Sequence, residues 1–336
     1  MFDYAFWGRE IYGWVPVILS PKSPHSVASV VAKFRATFAR VHEYETQEEL
    51  VTLTRGLRGV YMIQSGTQPV LELNGVPVWV HGVFEPNPRG HRFAVVSDWI
   101  ARKYQSPSHI IAEDSVCIPA EDAGRMMLRD YPAMHALGDA LVHKRVEVVP
   151  HIVTMPPPTR TVADVRRSLG VPSDTILLGR IGGYDQFDIG WAQTALVELL
   201  DEMGYKLMLL MINTRPFCVH PAIIYHDMVV SEEAKSDLIH ACDAMIHARA
   251  EGESFGLAVA EFSACGKPVI TFPGRDGAHI EYLGEMALTY NNPETLKQII
   301  RDLPATLRTV HRPWDKYSAR FSPEKVMDTF CRVFLS

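Results

Sequence analysis

Two glutamates, Glu253 and Glu261, stand eight positions apart in Glu253-Ser-Phe-Gly-Leu-Ala-Val-Ala-Glu261, between the strand-like runs Ala244–Ala248 and Pro268–Phe272. Glu251-Gly-Glu253-Ser reads as a loop. Phe255 to Cys265 reads as a helix, because Leu257, Ala260 and Ala264 recur at helical spacing and Gly266 sits at a C-cap position. A helix that opens on Ser-Phe-Gly after a strand offers unpaired backbone N–H groups and the positive end of its dipole, an arrangement suited to a phosphate. Glu253 then lies at the mouth of that helix and Glu261 almost two turns inside it.

Two carboxylates beside an anion repel it unless they serve another purpose, and ionised carboxylates only accept hydrogen bonds. Sugar hydroxyls are suitable donors. At 1.5 Å per residue Glu261 lies about 8 Å along the axis from the helix start, far enough to pass the phosphates and reach a ribose. Glu253 would face the opposite end of the ligand. A diphosphate with a ribose on one side and a second sugar on the other fits this spacing. The competing reading is two glutamates on a solvated helix.

A second phosphate-suited loop is Gly179-Arg-Ile-Gly-Gly183. Gly182 and Gly183 let a backbone approach a ligand closely, and Arg180 can fork onto phosphate oxygens. The Gly-x-Gly-x-x-Gly turn of a dinucleotide-binding oxidoreductase is absent, since the loop runs through Asp185-Gln-Phe-Asp188 before a helix begins. Paired carboxylates would also serve a glycoside hydrolase, but that chemistry does not require a phosphate-suited helix start.

The elements that must hold these groups follow from the rest of the chain. Its 336 residues, 47% hydrophobic and 21% charged, have the length of two soluble α/β domains. A net charge of −6 without a basic block gives no reason to expect nucleic acid as a partner. The five cysteines form no Cys-x-x-Cys pair, which argues for a reducing compartment and against a zinc site. The first residues carry Asp3, Arg9 and Glu10 without an apolar h-region, and the longest apolar run, Leu207–Ile212, is far too short to span a membrane. A cytoplasmic protein is expected, with peripheral membrane contact and the choice of monomer or dimer left open.

Strand candidates Val15–Leu19, Val60–Gln64, Val76–Val80, Phe93–Ser97 and Val146–Val149 alternate with helices at Ser26–Phe38 and Asp98–Tyr104. Tyr4–Trp7 reads as a first strand or an irregular cap. After the proline run Met155–Pro158 the alternation restarts: helix Thr161–Leu169, strand Thr175–Ile181, helix Ile189–Met203, strands Lys206–Ile212 and Ile223–His226, and helix Glu232–Cys242. The Glu253 region follows, then strand Met286–Tyr290 and helix Pro293–Asp302. Such alternation predicts two Rossmann-like domains that face each other across a cleft, with ligands at the carboxyl ends of the strands.

With Glu253-x7-Glu261, Glu-Ser-Phe-Gly-Leu, Gly266-Lys-Pro-Val-Ile and the Gly179-Arg180 loop in view, the second half resembles the retaining GT-B glycosyltransferases of family 4 over nearly all of residues 146–290. Val148-Val-Pro-His resembles their interdomain hinge, and Gly274–Glu281 the loop and short helix that close over the donor. In the first half the likeness is confined to Val78-Trp-Val-His81-Gly82 and Val95-Val-Ser97-Asp-Trp. Phe321–Phe330 looks like the last helix, crossing back to the first domain.

The resemblance implies an acceptor domain over residues 1–150, completed by 318–336, and a nucleotide-sugar donor domain over 151–317. It implies that Glu253 contacts the donor sugar, Glu261 the ribose and His81 a sugar hydroxyl. Arg180, Gly182, Gly183, the segment Ser254, Phe255, Gly256 and Leu257, and the Gly277 N–H would hold the diphosphate. No metal or separate cofactor is implied: the co-substrate would be a nucleotide-diphosphate sugar, UDP- or GDP-linked, and the acceptor a hydroxyl of a glycan, lipid or small molecule. No Asp-x-Asp suggests a metal-diphosphate site.

The chain departs from the pattern in two places. Asp185 stands where the family usually carries a lysine shortly after the loop arginine, and Pro21–His25 stands in place of a glycine-rich turn after the first strand. The missing lysine keeps a non-catalytic nucleotide- or glycan-binding module of the same fold as the alternative. Arg125, Arg129, Lys144 and Arg145 could meet an anionic acceptor or form a solvated face. Trp7, Trp14, Trp79, Trp99, Tyr184 and Phe187 could stack on a sugar or simply pack.

Overall fold

The computed structural model describes residues 1–23, 27–65, 71–84, 90–105, 146–309 and 313–336. The basic cluster at 125, 129, 144 and 145 lies outside the described residues. The chain forms two compact units: Thr46–Pro150 with Asp328–Ser336 and Met1, and Phe2–Glu45 with His151–Met327.

The chain opens on helix α1 (Phe2–Tyr12), not on the strand or irregular cap expected around Tyr4–Trp7. The reason is the aromatic spacing: Phe2 and Phe6, four apart, stack at 6.1 Å, while Phe2 meets Phe34 and Phe38 edge-on at 5.3 and 5.4 Å. Strand β1 (Ile18–Pro21), helix α2 (Ala28–Thr37) and strand β2 (Val41–Tyr44) follow, and the two strands pair in parallel. All belong to the second unit.

Helix α3 (Gln47–Thr54) starts the first unit with a capping box in which the Thr46 hydroxyl accepts from the Glu49 N–H at 3.2 Å. Strands β3 (Val60–Gln64), β4 (Val78–Gly82), β5 (Arg92–Val95) and β6 (Glu147–Val148) pair in parallel in that order. Between β5 and β6 comes helix α4 (Asp98–Gln105), and Ser97 accepts the Ile100 N–H at 3.3 Å on its hydroxyl, as an N-cap does.

The second unit continues with helix α5 (Val162–Ser168), strand β7 (Ile176–Ile181), helix α6 (Gly190–Met203), and strands β8 (Leu207–Ile212) and β9 (Ile223–His226). Helix α7 (Glu232–Ala241), strand β10 (Ala244–His247), the two-residue strand β11 (Gly252–Glu253) and helix α8 (Leu257–Ala264) lead into strand β12 (Val269–Thr271). Strand β13 (Asp276–Gly277), helix α9 (Ala278–Leu283), strand β14 (Ala287–Thr289) and helix α10 (Pro293–Thr309) follow, then helix α11 (Pro323–Phe330), of which the residues from Asp328 onward belong to the first unit. Six strands form one parallel sheet in the order β14-β12-β10-β7-β8-β9. Every residue of β8 is buried, as expected of a strand covered on both faces.

Numbered from β7, that order is 3-2-1-4-5-6, the doubly wound arrangement in which the strand sequence reverses between the first and fourth strands. The reversal falls between β7 and β10. Ligands of such sheets sit outside the carboxyl ends of the strands at that point. The chain's two candidate loops leave from these two ends.

Residues 328–336 return to the first unit. Phe330 and Phe334 pack on Tyr61 at 5.1 and 5.6 Å, and Arg58 and Arg92 donate to the carbonyls of Leu335 and Val333 at 3.1 Å. The fold is α/β with parallel sheets throughout the described residues.

Candidate functional site at the strand-order reversal

β7 ends in Arg180-Ile181 and continues into Gly182-Gly183. Arg180 is 3% exposed, and its guanidinium donates to the Asn213 carbonyl at 2.8 Å, the Thr214 hydroxyl at 2.7 Å and the Gly183 carbonyl at 2.6 Å. The Asn213 side-chain amide donates to the Gly182 carbonyl at 2.8 Å. Burial lowers the Arg180 pKa to about 10, with Glu253 and Asp188 opposing that shift, so the group stays charged at neutral pH. Arg180 therefore fastens the β7 loop to the β8 loop. Asp185, in the position of the expected lysine, pairs with exposed Arg215 at 2.6 Å.

The β7 loop is also joined to the β10 loop. The Asp188 N–H donates to the Ala248 carbonyl at 3.0 Å, and the Asp188 carboxylate accepts the Ala250 N–H at 2.7 Å. Both sides of the strand-order reversal thus meet at Asp188.

Glu253 lies in β11, where Gly252 and Glu253 pair with Asp276 and Gly277 of β13. Glycine is required here: at Gly252, with φ of +76°, a Cβ would lie 2.1 Å from the Asp276 carbonyl oxygen. Backbone pairing brings Glu253 beside Gly277. Gly256, with φ of +80°, caps α8 and lies so close to His279 and Glu253 that its Cβ would approach theirs to 3.1 and 3.3 Å.

One oxygen of Glu253, Oε1, lies 3.1 Å from His247 Nε2, and the other, Oε2, accepts from Arg249 Nη1 at 3.0 Å. His247 Nδ1 lies 2.7 Å from Thr271 Oγ1, and His279 Nε2 lies 3.1 Å from the same hydroxyl and 3.2 Å from the Phe272 carbonyl. A carboxylate and a carbonyl only accept, so His247 presents an Nε2 proton to Glu253 and His279 one to the Phe272 carbonyl, while the single proton of the Thr271 hydroxyl has both His247 Nδ1 and, at 3.1 Å, the Phe272 carbonyl within reach. Burial alone would raise the Glu253 pKa; the His247 hydrogen bond and the Arg249 charge overcome it and hold the carboxyl below its usual value. Burial pushes His279 down to about 3, so it is neutral.

Glu261 is 9% exposed on α8, and Lys235 of α7 donates to its Oε1 at 2.6 Å. Lys235 also pairs with Glu232 at 2.9 Å, and Glu232 with Lys33 of α2 at 2.9 Å. Burial opposes the Lys235 charge, but the two carboxylates prevail and raise its pKa. Burial raises the Glu261 pKa, with Lys235 pulling the other way and Glu232 and Asp3 adding to the rise.

Of the residues singled out in the sequence, the structure gathers Arg180, Gly182 and Gly183 at one strand end and Glu253, Ser254, Phe255, Gly256, Leu257 and Gly277 around the other. Ser254 is buried, Leu257 is half exposed, and the Phe255 side chain is core, packed on His151 at 5.1 Å and Phe321 at 5.1 Å. His81 belongs to the first unit, fully buried, with Nδ1 2.7 Å from the Tyr61 hydroxyl. Phe187 is buried beneath Arg180, at 6.0 Å, and Tyr184 is exposed beside Arg215. Sequence reading passed over His247, Arg249, His279 and Lys235. The signal for the first two was available: polar residues closing the apolar run Ala244-Met-Ile-His-Ala-Arg249 mark the carboxyl end of a strand.

Residues 228–304 match the family model described as Glycosyl transferases group 1. No curated protein matches the chain. Among solved structures, a glycosyltransferase from Rickettsia africae ESF-5 superposes with a TM-score of 0.61 at 16% identity, over 99% of this chain and 89% of that one. Anabaena Alr3699/HepE in complex with UDP and glucose gives 0.58 at 12% identity, over 98% and 93%. The N-terminal domain of Candida albicans trehalose-6-phosphate phosphatase gives 0.55 at 12% identity, over 99% and 92%. The chain shares the GT-B type of fold with such proteins.

Proposed function

We propose that the chain is a glycosyltransferase that takes a sugar from a nucleotide-diphosphate donor, with retention and without a metal, and passes it to a hydroxyl acceptor. The observation that carries the reading is the meeting of the Gly182-Gly183 loop and the Glu253 loop at the strand-order reversal of the second unit, joined through Asp188. The match of residues 228–304 to a glycosyltransferase family model supports it. So does the UDP held by the Anabaena protein of the same fold.

In this reading the diphosphate sits at the start of α8, whose first N–H groups have no partner within the helix, and the N–H of Gly277 adds to that field. Negative charge builds on the diphosphate as it leaves, while the sugar carbon becomes positive. Stabilising the leaving group is therefore the main task of the protein. Glu253, ionised and oriented by His247 and Arg249, would accept from donor-sugar hydroxyls near that carbon. Glu261 would accept from ribose hydroxyls; a carboxylate offers about four lone-pair sites, enough for Lys235 and a ribose together. His81 would bind a sugar hydroxyl. UDP- or GDP-sugars are the expected donors, and glycans, lipids or small molecules the acceptors.

A second reading, a non-catalytic nucleotide- or glycan-binding module, draws on Asp185 and on the engagement of Arg180 by loop carbonyls. Release of nucleoside diphosphate from UDP-, GDP- and ADP-sugars in the absence of acceptor separates the two. The enzyme is expected to release diphosphate slowly, and Glu253→Ala to abolish the release. Binding without release in the wild type would favour the module, and no binding across the donor panel would sink both.

A further inference from the structure

A diphosphate at the start of α8 would place two anions side by side, the leaving group and Glu253, and a cation must stand between them. Arg180 is buried, and its two terminal nitrogens hold the loop atoms of Gly183, Asn213 and Thr214. Arg215 pairs with Asp185, both more than half exposed, and Arg275 pairs with Glu251. Lys235 is held between Glu261 and Glu232.

We propose that Arg249, at the carboxyl end of β10 beside Glu253, is a cation that binds the donor diphosphate. The inference rests on the proposed reading of the site. Four observations converge on Arg249. It leaves the sheet at the strand-order reversal, next to β7. Its side chain is only 13% exposed, so its charge is little screened. Its Nη1 already holds Glu253 Oε2 at 3.0 Å. Its charge is felt at Glu253, Arg180 and His279, the groups on all sides of the two loops. A guanidinium spreads its positive charge over a planar fork, so set beside Glu253 it relieves the repulsion between that carboxylate and a phosphate. Arg249 would thus read the phosphates, and Glu261 at the far end the ribose.

The test is calorimetric binding of the nucleoside, monophosphate and diphosphate of whichever base, uracil, guanine or adenine, the wild-type chain accepts. Arg249→Gln is expected to weaken the diphosphate about 10- to 100-fold, the range for a charged hydrogen bond, while nucleoside affinity stays within about threefold. Arg249→Lys, which keeps the charge without the fork, should lie between the two. The same loss must appear in a Glu253→Gln background, where an Arg249 acting only by orienting Glu253 would have no further effect. Equal diphosphate affinity in wild type and Arg249→Gln, a parallel loss for nucleoside and diphosphate in Arg249→Lys, or disappearance of the effect in the Glu253→Gln background overturns the assignment while leaving the site reading intact. A wild type that binds none of the diphosphates overturns the site reading itself.

Discussion

Glu253 and Glu261 belong to one short strand-loop-helix segment, yet their surroundings are electrostatically opposite. Glu253 has His247 on one oxygen and Arg249 on the other, and its carboxyl is held below its ordinary value. Glu261 has one ammonium, Lys235, which it shares with Glu232, while Asp3 adds a further carboxylate; burial pushes the Glu261 value up. The first glutamate is an ionised acceptor set in place before any ligand arrives. The second belongs to a charge chain that runs through Glu232 and Lys33 to the N-terminal segment. One end of the segment holds its charge on a histidine and an arginine of the β10 end, the other ties α8 to α7 and α2.

Removing the shared ammonium would test this contrast most severely. Lys235→Met leaves Glu261 and Glu232 without their common cation, and a broken buried pair costs about 3–5 kcal/mol. Urea unfolding at neutral pH should show a loss of that order, shrinking as the pH is lowered and the carboxylates protonate. A loss under about 1 kcal/mol, the range of exposed pairs, would mean that the Glu261 end is not organised as described.

At the other end the expected effect is on rate rather than stability. Glu253→Ala should lower donor turnover about 100- to 1,000-fold, the range seen when one preorganised transition-state contact is removed. The unfolding midpoint should move less than in Lys235→Met. A variant that keeps its turnover would remove the distinction between the two glutamates.

Acid titration sharpens the comparison further. His279 titrates near 3 in the folded chain against 6.5 ordinarily, so between those values the unfolded chain takes up a proton that the folded chain refuses. Stability therefore falls as pH drops through that window. The depressed Glu253 carboxyl contributes stability that is fully present above 4.5 and is lost as pH falls through its lower folded value. His279→Gln should flatten the stability profile between 6.5 and 4.5 and make it shallower from there down to about 3, leaving below 4.5 the part due to Glu253, as followed by thermal unfolding across pH. An unchanged slope would show that another group dominates the acid response.

The smallest effect is expected where the charge chain reaches the surface. Lys33 and Glu232 are partly exposed, so Lys33→Ala should cost only about 0.2–1 kcal/mol in the same urea assay. A cost comparable to Lys235→Met would mean that α2 is as integral to the Glu261 end as α7.

Much of the second unit was legible in the chain because its strands are short apolar runs buried on both faces and its helices repeat at helical spacing. The strands Thr175–Ile181, Lys206–Ile212 and Ile223–His226 fall within a residue of β7, β8 and β9. Helix α8 opens two residues later than Phe255, because Phe255 turns into an aromatic core with Tyr282, Tyr317 and Phe321. The N-terminal segment was harder. Phe2, Phe6, Phe34 and Phe38 satisfy one another across two helices, and no local pattern announces that pairing. Nor could the sequence disclose that residues 2–45 group with the second unit, since that depends on contacts such as Lys33 with Glu232.

The sequence by itself determined the alternation of strands and helices, the glycines that permit close approach, and the two acids at either end of a helix start. These are local properties, fixed by side-chain type and spacing. Only the tertiary structure decided what each charge does. It put Arg180 to fastening two loops, turned Asp185 outward to Arg215, and set His247 and Arg249 on Glu253 and Lys235 on Glu261. Electrostatic roles depend on distances between residues far apart in the chain, and those distances exist only after the sheet has assembled.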